Sequence, residues 1–409
     1  MAAILFTFAL FAQSIAGVPG TLWDATVTVD GVAIPFRIEL HAASGSFFNG
    51  DEKVTSTTGS FKDGKLLLHF DHYATTLEAS LKDGVLDGQY LREGKTAYPF
   101  HATPFTAPEA DSGAPPIAGL WDVGVESAKG EHAWRLIVRQ SGSAVSGAIL
   151  RVDGDTGTIE GTYRDSKFVL SHFSGARPTL LEVTPNDDGS LTVVQNRKAT
   201  LTAVRSVEAR FRGLPEPSDP SRYTSVVDPS VPFRFHGKDL TGHEIDQDSL
   251  RFQGKVVLVS IMGSWCPNCH DEAPFLAELD RRYRDKGLEI VALSFEEAAQ
   301  LANPTRLRAF VRQYGIRYTV LLAGDPKEVK DWLPQAVNLN TWPATFFLGR
   351  DGLVRGVHAG FAGAASGEAH VQLKDEIIRT VERLLAESAP SESATKLART
   401  HPPEDQLQR

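Results

Sequence analysis

A near-continuous apolar run with β-branched residues, Lys255 to Met262, gives way within four residues to Trp265-Cys266-Pro267-Asn268-Cys269, which holds the only two cysteines among 409 residues. A run of that kind reads as a strand covered on both faces. Followed directly by a helix, it demands a layered α/β unit and puts the Cys-x-x-Cys pair at the strand-to-helix junction. There the first sulfur meets unpaired backbone N–H groups that stabilise negative charge, which suits dithiol–disulfide chemistry. Two cysteines cannot build a disulfide scaffold or a four-cysteine zinc site, and no His-x-x-x-His pair stands nearby, so no stable metal and no cofactor beyond the dithiol itself is expected. A formal charge of −9 argues against a nucleic-acid partner.

The chain is long enough for several cores. Residues 1–16 have an apolar stretch of signal-peptide length followed by the small-x-small pattern Ser14-Ile15-Ala16, although no Lys or Arg precedes it. Export, to the periplasm where there is one, is the expectation. From Gly20 to Val204 short alternating runs are separated by Gly, Asp and Ser turns, including Lys-Asp-Gly at Lys62 and Lys82. This predicts all-β structure, a sandwich or a barrel. The region also repeats. Gly20-Thr-Leu-Trp-Asp24 matches Ala118-Gly-Leu-Trp-Asp122, and Thr58-Gly-Ser-Phe-Lys-Asp-Gly-Lys65 matches Glu160-Gly-Thr-Tyr-Arg-Asp-Ser-Lys167. Two tandem β modules, 20–105 and 117–207, follow, joined by a Pro-rich linker at 106–116. Trp23 and Trp121 open the modules at equivalent places and read as core anchors, and His69 and His72 read as solvated or hydrogen-bonded rather than metal-binding.

A second linker, 208–227, leads to a region of different texture, 228–387, and then to a polar tail, 388–409, expected to be disordered. Strands are expected at 255–262, 288–295, 318–323, 345–348 and 353–358. Helices are expected at 271–286, interrupted by Pro274, at 304–314, in a short stretch from Lys327, and at 369–386. That order implies a mixed central sheet with helices on both faces.

Residues 228–387 resemble the TlpA-like (ResA-like) extracytoplasmic thiol–disulfide oxidoreductases of the thioredoxin-fold superfamily, and are similar to the wider AhpC/TSA group. Trp-Cys-Pro-Asn-Cys, Glu272-Ala-Pro-Phe-Leu and Trp342-Pro343-Ala-Thr-Phe-Phe-Leu, in that order, carry the resemblance. It implies that Cys266 attacks and Cys269 resolves, and that Trp265, Pro267, Trp342 and Pro343 line the substrate surface, Pro343 as a cis-proline. It implies too that Glu272 relays protons to the resolving thiol, the competing reading being a solvated first-turn Glu. Ser260 stands where thioredoxins proper carry a buried acid, which throws more weight on Glu272. The implied partners are protein thiols and disulfides and a membrane-embedded thiol donor, with reduction the favoured direction. Two other readings stay open: a binding protein whose β modules carry the main function, and a thiol peroxidase. The peroxidase is disfavoured by the lack of a Pro-x-x-x-Thr-x-x-Cys arrangement.

Overall fold

The computed structural model describes residues 21–92, 97–107 and 113–388. The candidate leader, the middle of the first linker and nearly all of the tail lie outside the described residues. Among the described residues no helix is long and apolar enough to cross a membrane.

Thr21 to Pro104 form an antiparallel meander of nine strands among the described residues. Its first strand, Thr21–Val29, pairs with both the second, Val32–His41, and the last, Tyr98–Pro104. Every second residue of the first strand points inward, so Trp23, Ala25 and Val27 are buried. Gly119 to Arg205 repeat the plan, again with nine strands. Here Ala144–Arg151 pairs with both Ala133–Ser141 and Ile159–Arg164, which closes the sheet into a barrel. In the first module the corresponding seam has no ladder. The bonds from Ser56 N–H to the Gly45 carbonyl at 2.8 Å, and from Gly45 N–H to Ser56 Oγ at 3.0 Å, extend the hairpin of Ser44–Asn49 and Glu52–Thr55 and stop short of Thr58–Lys62. The sandwich-or-barrel expectation thus resolves into two barrels, one closed and one with an open seam. Trp23 and Trp121 lie in their cores, and Trp121 Nε1 donates to the Ile117 carbonyl at 2.9 Å.

The two barrels are not beads on a string. Phe173 leaves the second barrel and sits in the core of the first, 4.9 Å from the Phe36 ring and 5.2 Å from Tyr90. The Asn49 side chain bonds both the Phe173 carbonyl, at 3.0 Å, and the Phe173 N–H, at 2.9 Å. The segments read as linkers are fastened as well, because their backbone groups find partners. Thr106 N–H donates to Asp24 Oδ2 at 3.0 Å, the Pro115 carbonyl accepts Gln140 Nε2–H at 3.0 Å, Tyr223 donates to the Lys129 carbonyl, and Ser225–Val226 pairs with Ala336–Val337.

The C-terminal domain is a seven-stranded sheet in the order Glu244–Asp246, His236–Asp239, Thr319–Leu322, Leu288–Ser294, Val256–Met262, Ala344–Leu348 and Val354–Ala359. Val256–Met262 runs parallel to Leu288–Ser294 and antiparallel to Ala344–Leu348. All seven residues of Val256–Met262 are buried. At roughly 1.5–3 kcal/mol for each fully buried aliphatic side chain, this strand anchors the domain. The next helix, Pro267–Tyr283, begins four residues earlier than expected and continues through Pro274. Pro267 takes the first helical position, where no intrahelical bond is lost. Pro274 forfeits one backbone bond, which the burial of Ala273, Phe275 and Leu276 outweighs.

Candidate active site

Cys266 is the N-cap of that helix. Its backbone is extended, with φ −89° and ψ 117°, and its sulfur accepts the Cys269 N–H at 3.4 Å. A thiolate at Cys266 would face the unpaired N–H groups of the first turn. The Cys266 Sγ–H in turn donates to the Trp342 carbonyl at 3.4 Å, and the Trp342-Pro343 peptide is cis. Residues 76 positions apart are thereby brought together at one sulfur. Pro343 is buried, and its carbonyl accepts the Gly360 N–H at 2.7 Å.

Cys269 lies one turn inside the helix and is 2% exposed. Burial pushes its thiol well up, with the Cys266 sulfur and the Glu272 charge adding to the effect. Glu272 is not a solvated first-turn residue. It is 2% exposed and accepts Ser260 Oγ–H at 2.9 Å and Thr345 Oγ1–H at 2.8 Å. Burial raises its carboxyl to about 7, with the two hydroxyls acting the other way. Ser260 therefore does more than remove an acid: it holds the acid that replaces it. A carboxyl that exchanges its proton near neutral pH thus lies within electrostatic reach of a thiol that burial holds protonated.

Trp265 roofs the site. Its Nε1 donates to the Phe295 carbonyl at 2.9 Å, and its ring stands edge-on to Trp342 at 5.4 Å. Gly263 makes this possible, since a Cβ there would lie 2.2 Å from the indole nitrogen. Beneath the loop, Glu296 accepts Ser264 N–H at 2.7 Å and Ser264 Oγ–H at 2.9 Å, and pairs with Arg306 at 2.7 Å. His270 joins Tyr314 and the Ser264 carbonyl, each at 2.9 Å, and its burial keeps it neutral. Trp342 packs against Trp265 and Phe295.

Pro267 is half-buried. Asn268, between the cysteines, reaches out of the domain altogether. Its Nδ2 donates to the Asp153 carbonyl, and its Oδ1 accepts Arg177 at 2.6 Å. Arg177 also pairs with Asp271. Around it, Asp155 is raised chiefly by burial, and Glu52 by burial and the Asp271 charge.

Residues 229–357 match the AhpC/TSA family. A thioredoxin-like protein, YneN, from Bacillus subtilis is 30% identical over 127 residues, covering 31% of this chain and 68% of that protein. The chain belongs to the ResA/YneN-like thioredoxin family. The thiol-disulfide oxidoreductase ResA of Bacillus anthracis is 31% identical over 116 residues, 28% of this chain. The chain spans 60% of the length of that ResA relative. Among solved structures, a DsbF homologue from Corynebacterium diphtheriae matches at 18% identity, over 41% of this chain and 98% of that one, with a TM-score of 0.32. A secreted Mycobacterium tuberculosis disulfide oxidoreductase homologous to E. coli DsbE matches at 24% identity over 37% and 96%, with a TM-score of 0.28.

In this ResA/YneN-like domain the motif residues Cys266, Cys269, Glu272, Trp265, Pro267, Trp342 and Pro343 surround one another. The residues sequence reasoning passed over fall into two kinds. Thr345 stood inside a quoted motif, yet its hydroxyl gave no sign of its partner. Arg177, Asp153, Tyr73 and His72 come from the β half, 91 to 198 positions away from the helix residues they meet, and no local pattern marks such contacts. His72 is a correction. It is neither solvated nor, among the described residues, hydrogen-bonded at Nδ1; it is 3% exposed and packs 5.8 Å from the His270 ring.

Proposed function

We propose that the chain is a thiol–disulfide oxidoreductase that reduces protein disulfides outside the cytoplasm, with Cys266 as nucleophile and Cys269 as resolving thiol. One observation carries the reading. The Cys266 sulfur caps the catalytic helix, accepting the Cys269 N–H, while lying against the carbonyl that precedes cis Pro343. The Cys266 thiolate attacks one sulfur of a substrate disulfide, forming a mixed disulfide and releasing the first substrate thiolate. Cys269, its proton passing to Glu272, then attacks the Cys266 sulfur. The second substrate thiolate leaves, and the enzyme is left oxidised, two electrons having gone to the substrate. A membrane-embedded thiol donor would return those electrons. The leader-like residues 1–16 support export.

The test is the Cys269→Ser variant, incubated with insulin or another disulfide-bonded protein. A stable adduct through Cys266 is expected, together with dithiothreitol-driven insulin reduction by the wild type. No adduct, and wild-type turnover no faster than the uncatalysed control, would reject the assignment.

A further inference from the structure

Three segments of the β half close on the rim of the dithiol. The turn around Gly154 lies along the chain that follows cis Pro343. Gly154 forms a parallel β-bridge with Phe361, and Asp155 Oδ2 accepts the Ser366 N–H at 3.1 Å. The fit leaves no slack. A Cβ on Gly154 would stand 2.3 Å from the Phe361 carbonyl oxygen, and one on Gly360 would stand 2.4 Å from that of Val152. The loop carrying Arg177 holds Asn268 and Asp271. From the first barrel, Tyr73 lies on His270 with ring centroids 4.3 Å apart.

Cys266, packed in the core of its own domain beside this rim, is 3% exposed, although a working nucleophile must be reachable. Beside Trp265 lies a crevice of about 140 Å³, bordered by Tyr73, Thr75, Arg92, Gly175 and Ala176 from the β half and by Glu297 and Arg306 from the C-terminal domain. Small-molecule sites commonly run to roughly 300–1,000 Å³.

The contact is also of a kind that parts. Its bonds are polar and charged, as in domain interfaces that move. His72 is buried in it without a partner at Nδ1 among the described residues, a cost recovered when water enters. Ala74 and Arg177, on two of the three contacting segments, are both held at φ 52°.

We infer that the tandem barrels are a substrate-selecting clasp: closed, they leave Cys266 to small disulfides, and a protein disulfide reaches it only when the clasp swings away. This rests on the dithiol reading, but its test need not involve turnover. In the full-length Cys269→Ser chain only Cys266 can be alkylated. Its rate with N-ethylmaleimide, divided by its rate with a maleimide bearing a long polyethylene glycol chain, is compared with the same ratio for glutathione. The bulky reagent sees only the open fraction, so the protein's ratio is expected to be about tenfold the larger. Adding Arg177→Ser leaves Asp271, Asp155 and Glu52 facing one another without their cation, and is expected to bring the ratio within about twofold of glutathione's. With both cysteines present, the same substitution is expected to raise kcat/KM for insulin about tenfold relative to that for Ellman's reagent.

Equal ratios for the unsubstituted clasp and glutathione overturn the proposal, and they do so even if Arg177→Ser fails to fold. A large ratio, with neither disulfide turned over, upholds the clasp and rejects the dithiol function instead.

Discussion

Replacing Glu272 by Gln separates the folding cost of that carboxyl from its work. The folded protein raises it from 4.5 to about 7. At about 1.4 kcal/mol per pH unit, ionising it in the folded chain costs about 3 kcal/mol more than in the unfolded one. Between those two values the native state holds a proton that the unfolded state has lost. Stability from this group is therefore fully present below 4.5 and drains away as pH rises through about 7. Glu272→Gln removes the titration. From pH 5 to pH 8 the reduced variant should gain about 2.5 kcal/mol relative to wild type, or about 7 °C in the melting of a domain of this size, read by calorimetry. The same change should slow the resolving step. With Ellman's reagent the first chromophore reports attack by Cys266 and the second reports attack by Cys269. The second phase should fall about 100-fold and lose its inflection near pH 7. A constant stability gap across pH, with the inflection kept, would show that Glu272 neither ionises in this range nor takes the proton.

The barrels offer sharper structural tests. Asp122 is fully buried and bound by Arg135, Arg210 and Ser206, so Asp122→Ala should cost the second barrel about 3 kcal/mol, read as a lower melting temperature. The matched repeat glycines should differ. A Cβ on Gly161 would lie 1.9 Å from the Val169 carbonyl oxygen, whereas on Gly59 it would meet a Leu68 methyl at 2.6 Å. Gly161→Ala should cost about 3 kcal/mol and Gly59→Ala about 1, since a side chain yields where backbone does not.

Legibility from sequence followed the range of the interactions. The active-site strand, the dithiol and Pro343 announce themselves because burial on both faces, helix capping and X-Pro chemistry are written into neighbouring residues. The duplication was equally plain, since Trp23 and Trp121, Gly59 and Gly161, and the paired turns repeat in register. Whether each module closes was not legible, because closure depends on whether its third and fifth strands pair, as Ala144–Arg151 and Ile159–Arg164 do, rather than on alternation within either. Nor was the fastening of the linkers, since Pro-rich composition describes a segment's own freedom and not the partners it finds. The widest gap concerns the site's own rim, where nothing in the Cys-Pro-Asn-Cys spacing shows that Asn268 binds a barrel.

That rim also bears on how the protein is born. A chain made from its N-terminus completes both barrels' sequence before Cys266 emerges, and domains tend to fold as units in that order. With Phe173 locking the barrels into one body, the thiol's cover can be assembled before the thiol is exposed. A circular permutant beginning near residue 228 would reverse the order of synthesis. Its reactive sulfur would then meet the surroundings unshielded, and mispaired adducts would be the measure of what the native sequence order prevents.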